Sequence, residues 1–460
     1  MKTYDLVVIG SGPAGQKAAI QAAKLGKRVG IVERRSMVGG VCINTGTIPS
    51  KSLREAVVSL SGLRQRVLYG TKYSMKKGVS MSDLLFRKDH VVKNEIEIIY
   101  NQMERNDVDM LFGSACFTGP HQLVVQSDHG QEECSAEKII IACGTIPLRP
   151  PDVPFDEKRI FDSDTILQLA KIPKTLTIVG GGVIGCEYAC MFGVLGVRVT
   201  LIDQRKRLLR FVDEQISEAL SFYMRNSGME LKLGETIEKV GLSEDGRPTC
   251  SLASGKKVTT DCVLYALGRK AATETLDLQA AGVQADRRGE IQVNENYQTN
   301  VPHIYAVGDV IGFPCLASTS MEQGRLASCH AFEVPAESFP SLFPYGIYTI
   351  PEISMVGKTE ETLTEQGVPY EVGQAFYREI ARGQIIGDQQ GMLKLIFNRE
   401  NLDLLGVHAI GEGASELIHI GQAVLSYRGK VDYFINNVFN YPTLAECYRV
   451  AALNGVNKLG

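Results

Sequence analysis

Two short glycine turns, about 170 residues apart, constrain this chain more than anything else in it. The first follows the apolar run 6–9 and reads Gly10-Ser11-Gly12-Pro13-Ala14-Gly15; an alanine-rich stretch to Leu25, a second apolar run over 29–32 and an acid, Glu33, come after it. The second follows a predicted strand over 176–179 and reads Gly180-Gly181-Gly182-Val183-Ile184-Gly185, then a stretch to Leu195, a predicted strand over 197–202 and Asp203. In both, the acid lies 18 residues beyond the last glycine. Strand, glycine turn, helix, strand and acid in that order make the fingerprint of a dinucleotide-binding βαβ unit. Gly10 makes the tight turn, Gly12 lets the backbone approach a pyrophosphate, and Gly15 lets helix pack on strand. Glu33 then accepts hydrogen bonds from ribose hydroxyls. Two complete units imply two dinucleotide sites.

A chain of 460 residues exceeds one hydrophobic core and predicts about three domains, at roughly 100–200 residues each. A net charge of −3, with both signs interspersed, argues against a nucleic acid or an anionic membrane as the main partner. No window of about 18 apolar residues is present to span a bilayer. The amino terminus runs straight into the first apolar run, which leaves no room for a targeting peptide. Eleven cysteines without metal-type spacing read as reduced thiols of a cytoplasmic protein with no metal site. Cys186 and Cys190, four apart on the second helix, read as core packing.

Between the two units the sequence predicts a helix from about Ser50, a surface helix over 82–105 and short strands over 111–140. An apolar strand over 139–141 is stopped by Gly144 and Pro147. Strands with turn punctuation fill 230–265 and close on Gly268-Arg269. The segment 299–309 predicts a strand ending in Gly308-Asp309, which puts a carboxylate where ligands bind in open α/β sheets. After Pro344 come alternating strands near 391–397 and 404–410, and helices near 413–428 and 443–454. No third phosphate loop appears there, so this tail is read as an assembly domain.

With these residues laid out, the whole chain resembles the pyridine nucleotide-disulfide oxidoreductase family, and most closely its members that exchange hydride between nicotinamide nucleotides. The resemblance implies an α/β fold of two Rossmann-like dinucleotide-binding domains, for FAD and NAD(P), plus a C-terminal α+β dimerisation domain. The expected boundaries are 1–150 and 271–344 for FAD, 151–270 for NAD(P) and 345–460 for a homodimer or larger homo-oligomer. It assigns the FAD site to Gly10, Gly12, Pro13, Ala14, Gly15, Glu33, Arg34, Gly40, Cys42, Lys51, Ala115, Gly144, Gly308, Asp309 and Ala317. The NAD(P) site falls to Gly180, Gly182, Val183, Ile184, Gly185, Glu187, Asp203, Gly268 and Arg269. Asp203 suits a free 2′-hydroxyl, whereas Arg205, Lys206, Arg207 and Arg210 form either a clamp for a 2′-phosphate or a solvated basic turn. Lys51 is similar to the family lysine near the flavin N5, and Glu187 to its carboxylate partner. Val183 stands where some relatives carry a tyrosine that covers the flavin.

Two departures shape the expected activity. The disulfide reductases of the family carry a second cysteine five positions after the one equivalent to Cys42, and this chain has Thr47. They also carry a histidine before a Pro-Thr pair near the carboxyl end, and this chain has Tyr441. A phenol of pKa about 10 is a poorer proton shuttle at neutral pH than an imidazole near about 6.5. The resemblance therefore implies NAD(H) and NADP(H) as alternating substrates of one site, with Lys51, Glu187, Thr47, Cys42 and Tyr441 around the reacting atoms. A quinone reductase is the first rival, a disulfide reductase pairing Cys42 with a distant thiol the second, and a flavin-bound redox sensor the third.

Overall fold

The computed structural model describes residues 1–34, 38–63, 78–336, 338 and 342–460. The chain opens with strand β1 (Lys2–Ile9), helix α1 (Pro13–Lys24) and strand β2 (Val29–Glu33). Two helices follow, α2 (Gly40–Asn44) and α3 (Thr47–Leu60). α3 starts three residues before the expected Ser50, because Pro49 in a first turn has no N–H to leave unpaired. The surface helix α4 (Met81–Arg105) is closed at its start by a capping box between Ser80 and Asp83. It buries Leu84, Ile99 and Met103 of the predicted apolar stripe and leaves Val91, Val92 and Ile96 half-buried.

Strands β3 (Asp109–Phe112), β4 (Ser114–Gly119), β5 (Gln122–Ser127) and β6 (Gly130–Ile141) complete the first sheet, in the order β3-β2-β1-β6-β5-β4. β1, β2, β3 and the end of β6 run parallel, whereas β5 pairs with β4 and β6 antiparallel. The parallel strands read as continuous apolar runs because both their faces are covered: all of β2 and residues 139–141 of β6 are buried.

The second unit begins after β7 (Thr145–Pro147). Strands β8 (Ile160–Asp162) and β9 (Thr175–Val179), helix α5 (Val183–Val194), strand β10 (Arg198–Asp203), helix α6 (Glu214–Asn226) and strand β11 (Glu230–Leu233) follow. An antiparallel ribbon, β12 (Ile237–Leu242), β13 (Pro248–Leu252) and β14 (Lys257–Thr259), precedes β15 (Cys262–Tyr265). The parallel order is β11-β10-β9-β15-β8. β16 (Arg269–Ala271) then pairs with β7, so the chain leaves the second unit beside the strand by which it entered. β17 (Ile304–Ala306) returns to the first sheet against β6. It is shorter than the strand expected from Thr299, because Thr299 to His303 form a turn whose hydrogen bonds close on Ile304.

Helix α7 (Ala317–Ala331) lies on α1. The last sheet is antiparallel, β18 (Tyr345–Ile347), β19 (Ile353–Gly357), β20 (Tyr370–Phe376), β21 (Met392–Asn398) and β22 (Leu404–Ile410), in the order β18-β19-β22-β21-β20. Its helices are α8 (Glu360–Glu365), α9 (Ala381–Ile386), α10 (Ala414–Ser426), α11 (Asp432–Asn436) and α12 (Glu446–Val456). Among the described residues no helix is long and apolar enough to cross a membrane.

One core joins α3, the second unit and the last sheet through Leu53, Val57, Ile216, Ile353 and Met392, and Cys186 and Cys190 are fully buried in it as packing residues. Polar ties reinforce that joint. Arg54 of α3 donates to the Thr349 carbonyl at 3.1 Å and lies 3.4 Å from Glu352. Lys394 of β21, wholly buried, binds both oxygens of Asp213 at 2.8 and 2.9 Å and also Glu360.

Candidate functional site

The two glycine turns fold alike in detail. Gly10 and Gly180 adopt φ of +106° and +111°, and a Cβ on either would meet a carbonyl oxygen of the neighbouring strand, Ala142 at 2.4 Å or Ala266 at 2.6 Å. Only glycine fits both conditions. A Cβ at Gly15 or Gly185 would lie 1.9 Å from the carbonyl of Gly10 or Gly180, so helix and turn are in contact there. At Gly12 and Gly182 a Cβ would meet nothing within 4 Å. The space before each helix N-terminus is open, where unpaired N–H groups and the helix dipole favour a phosphate. Each acid is anchored the same way, since the N–H after the first glycine donates to it: Ser11 to Glu33 at 3.1 Å, Gly181 to Asp203 at 2.5 Å.

A cavity of about 1070 Å³, its mouth included, opens in front of the first turn. Every residue expected to hold FAD lines it, except Gly15, packed behind the turn, and Lys51. The donor set suits a long dinucleotide: helix N–H groups at one point, the buried Glu33 at one end and Asp309 near the other. Burial raises the carboxyl pKa of Asp309 above its ordinary value, while Arg269 and Thr145 act against the shift. Thr145 was not anticipated. Its hydroxyl lies 3.4 Å from Asp309 and accepts from Arg269 at 2.9 Å, and Arg269 also pairs with Asp164 at 2.8 Å. Arg269, expected in the nucleotide site, thus stands on the ribbon that joins the two units.

Cys42 sits on α2 and Thr47 at the first position of α3, both lining the cavity. Burial pushes the Cys42 thiol above its ordinary value, and a hydrogen bond to Thr47 works against that. One turn after Thr47, Lys51 projects toward α5, where its Nζ binds Glu187 Oε2 at 2.7 Å and Oε1 at 2.9 Å. Glu187 is 5% exposed in its side chain and also accepts the Tyr348 N–H at 2.9 Å. The Tyr348 ring lies under the ammonium, 5.0 Å from its centroid. Tyr348 has no sequence signal, since it reaches the site through its backbone and ring from the far side of the chain. Tyr441 is not brought to this cluster within the chain and stands 73% exposed just before α12.

At the second turn, Gly182, Val183 and Ile184 are half-buried at the mouth of α5, and Gly268 has a φ of +127°. The basic run divides. Arg205 pairs with Asp203, Arg207 is held by Glu361 at 2.9 Å and Glu214 at 3.4 Å, and Lys206 and Arg210 are exposed.

A sequence model described as pyridine nucleotide-disulphide oxidoreductase matches residues 4–324, and one for the dimerisation domain of those enzymes matches residues 343–452. A protein named soluble pyridine nucleotide transhydrogenase, from Mycobacterium bovis, is 52% identical over 100% of this chain and 98% of its own length. A protein of the same name from Vibrio parahaemolyticus is 48% identical over 99% and 98%. The HOCl-induced flavoprotein disulfide reductase RclA from Escherichia coli superposes with a TM-score of 0.88 at 27% identity, over 98% of this chain and 99% of that one. LpdA from Mycobacterium tuberculosis, at 24% identity and a TM-score of 0.90 over 98% and 99%, shares the fold. One match spans both glycine turns and the return strand together, and on it this chain belongs to the pyridine nucleotide-disulphide oxidoreductase family.

Proposed function

We infer that this chain is an FAD-dependent enzyme that moves hydride reversibly between NADPH and NAD+, a pyridine nucleotide transhydrogenase. One observation carries the reading: Cys42 has a threonine hydroxyl as its neighbour where a second sulfur would have to be, while the Lys51–Glu187 pair is intact. Electrons must then leave to a molecule that enters the site. The Mycobacterium bovis and Vibrio parahaemolyticus relatives have this activity in their names and align along essentially the whole chain.

When bound, FAD supplies a two-electron store that takes hydride from one nucleotide and returns it to the other. The chain's own residues bind and orient. The N–H groups at the start of α1 hold a pyrophosphate, and Glu33, kept in place by Ser11, holds a ribose. Lys51 shares a helix face with Thr47, four residues earlier, and places a cation beside the cavity wall. Glu187 fixes that ammonium by two hydrogen bonds, and the cation favours the negative charge that reduction brings. The second turn aligns the nicotinamide nucleotides one after the other at a single site, which gives ping-pong kinetics. The protein works as a homodimer through the domain over 343–452, and we assign it to the cytoplasm, where its eleven free thiols stay reduced.

The test uses the purified flavoprotein with NADPH and either thio-NAD+ or benzoquinone as acceptor. Faster turnover with thio-NAD+ is the expected result, and a marked preference for the quinone would sink the reading.

A further inference from the structure

The acid of the second unit differs from that of the first in what covers it. Asp203 is 2% exposed, and four donors converge on its carboxylate. Oδ1 accepts the Arg205 N–H at 2.7 Å and Arg205 Nε at 2.9 Å; Oδ2 accepts the Gly181 N–H at 2.5 Å and Arg205 Nη2 at 2.6 Å. A carboxylate offers about four acceptor positions, so no position remains for a ribose hydroxyl while the Arg205 side chain is seated. That side chain is 41% exposed, so it borders solvent into which it can swing. Two of the four bonds come from backbone N–H groups that stay in either case. The other two come from the guanidinium and are the exchangeable ones.

The seated guanidinium has a second property. Of its five N–H donors, the two on Asp203 use Nε and one hydrogen of Nη2, and the rest face away from the acid. A seated Arg205 therefore cancels the carboxylate's charge and presents a fork of donors suited to a phosphate. Arg207 cannot do this without giving up Glu361 and Glu214, and its Nη2 is spent on the Arg210 carbonyl at 2.9 Å.

Resting on the transhydrogenase reading, we propose that the Asp203–Arg205 pair is a two-position selector for the 2′ substituent of the substrate. With Arg205 seated on Asp203, the site takes the 2′-phosphate of NADP(H). With Arg205 swung into solvent, the two vacated acceptor positions of Asp203 take the ribose hydroxyls of NAD(H). A single site serves both nucleotides because one side chain moves, with no change in the strand or the turn.

Flavin reduction by NADPH and by NADH, each measured alone by stopped-flow absorbance over a concentration series, tests the selector. For Arg205→Leu the apparent Kd for NADPH rises by about 10- to 100-fold, the loss expected for charge-assisted hydrogen bonds together with an unscreened carboxylate. The Kd for NADH stays level or falls, because a competitor for Asp203 has gone. Arg205→Lys keeps the charge without the fork and gives an intermediate NADPH affinity. Asp203→Asn weakens NADH more than NADPH. Equal losses for both nucleotides in Arg205→Leu, or tighter NADPH binding in that variant, overturn the selector. Failure of the underlying reading shows differently, in the unaltered protein, as flavin reduced by only one of the two nucleotides.

Discussion

Lys51 and Glu187 are 136 residues apart in the chain and 2.7 Å apart in space. Replacing Lys51 by Met leaves Glu187 buried with the Tyr348 N–H as a remaining donor. Flavin reduction and reoxidation should each slow by about 100-fold, the scale of losing one electrostatic contact to developing charge; unchanged rates in stopped flow would remove Lys51 from the chemistry. At Cys42 the expectation is an absence of change. Thiol titration before and after addition of NADPH should give equal counts, because the adjacent group is the Thr47 hydroxyl; two new thiols per flavin would restore the disulfide reading. The pairing of Lys51 with Glu187 was expected from the resemblance to the family, and the two side chains do meet. Tyr348 and Thr145 were not legible, since one acts through its backbone N–H and the other through a hydroxyl on a three-residue strand.

The glycine turns were legible at the scale of elements because their geometry admits a single residue type at fixed spacing, and both copies meet their neighbours at nearly the same distances. Strand β21 was only half legible. The sequence was read as an alternating strand there, but six of its seven residues are buried, and Lys394 is enclosed by Asp213 and Glu360. Truncating one partner of a buried ion pair strands the other charge. Lys394→Ala should therefore lower stability by about 3–5 kcal/mol, read as a shift in the denaturant midpoint, and a loss within about 0.5 kcal/mol would show that water reaches the acids. His408 of β22 is fully buried beside this group and bonds the Lys358 carbonyl at 2.9 Å. Burial holds its pKa below the ordinary 6.5, with Lys394 acting in the same direction and Asp213 and Glu361 against it. The unfolded chain then takes up this proton first as pH falls. The contribution is full above 6.5 and is lost as pH drops toward the folded value. The fall in Tm between about pH 7 and pH 5.5 should be larger in the unaltered protein than in His408→Asn.

At the scale of the whole molecule, the last domain leaves apolar surface uncovered: Val438 is 92% exposed, Tyr441 73% and Tyr433 46%. Exposed apolar side chains in a dimerisation domain make these positions the ones to test for contact with a second copy. Val438→Asp should shift the mass in light scattering from twice the 50.3 kDa chain toward the single chain, and an unchanged dimer would place the interface elsewhere. The two dinucleotide-binding units were legible from the two fingerprints, while the ties between them and the rest of the chain, Lys51 to Glu187 apart, were not, because they join residues with no shared pattern. Those ties bear on the pace of the reaction. Lys51 to Glu187, Lys394 to Asp213 and Arg207 to Glu361 pin the second unit to its neighbours on several sides. In the proposed cycle each turnover includes two departures, one of each spent nucleotide, through the same braced mouth. Grip and speed then oppose each other: tightening the hold on either nucleotide lengthens its stay, and the enzyme's clock is set by how readily it lets go.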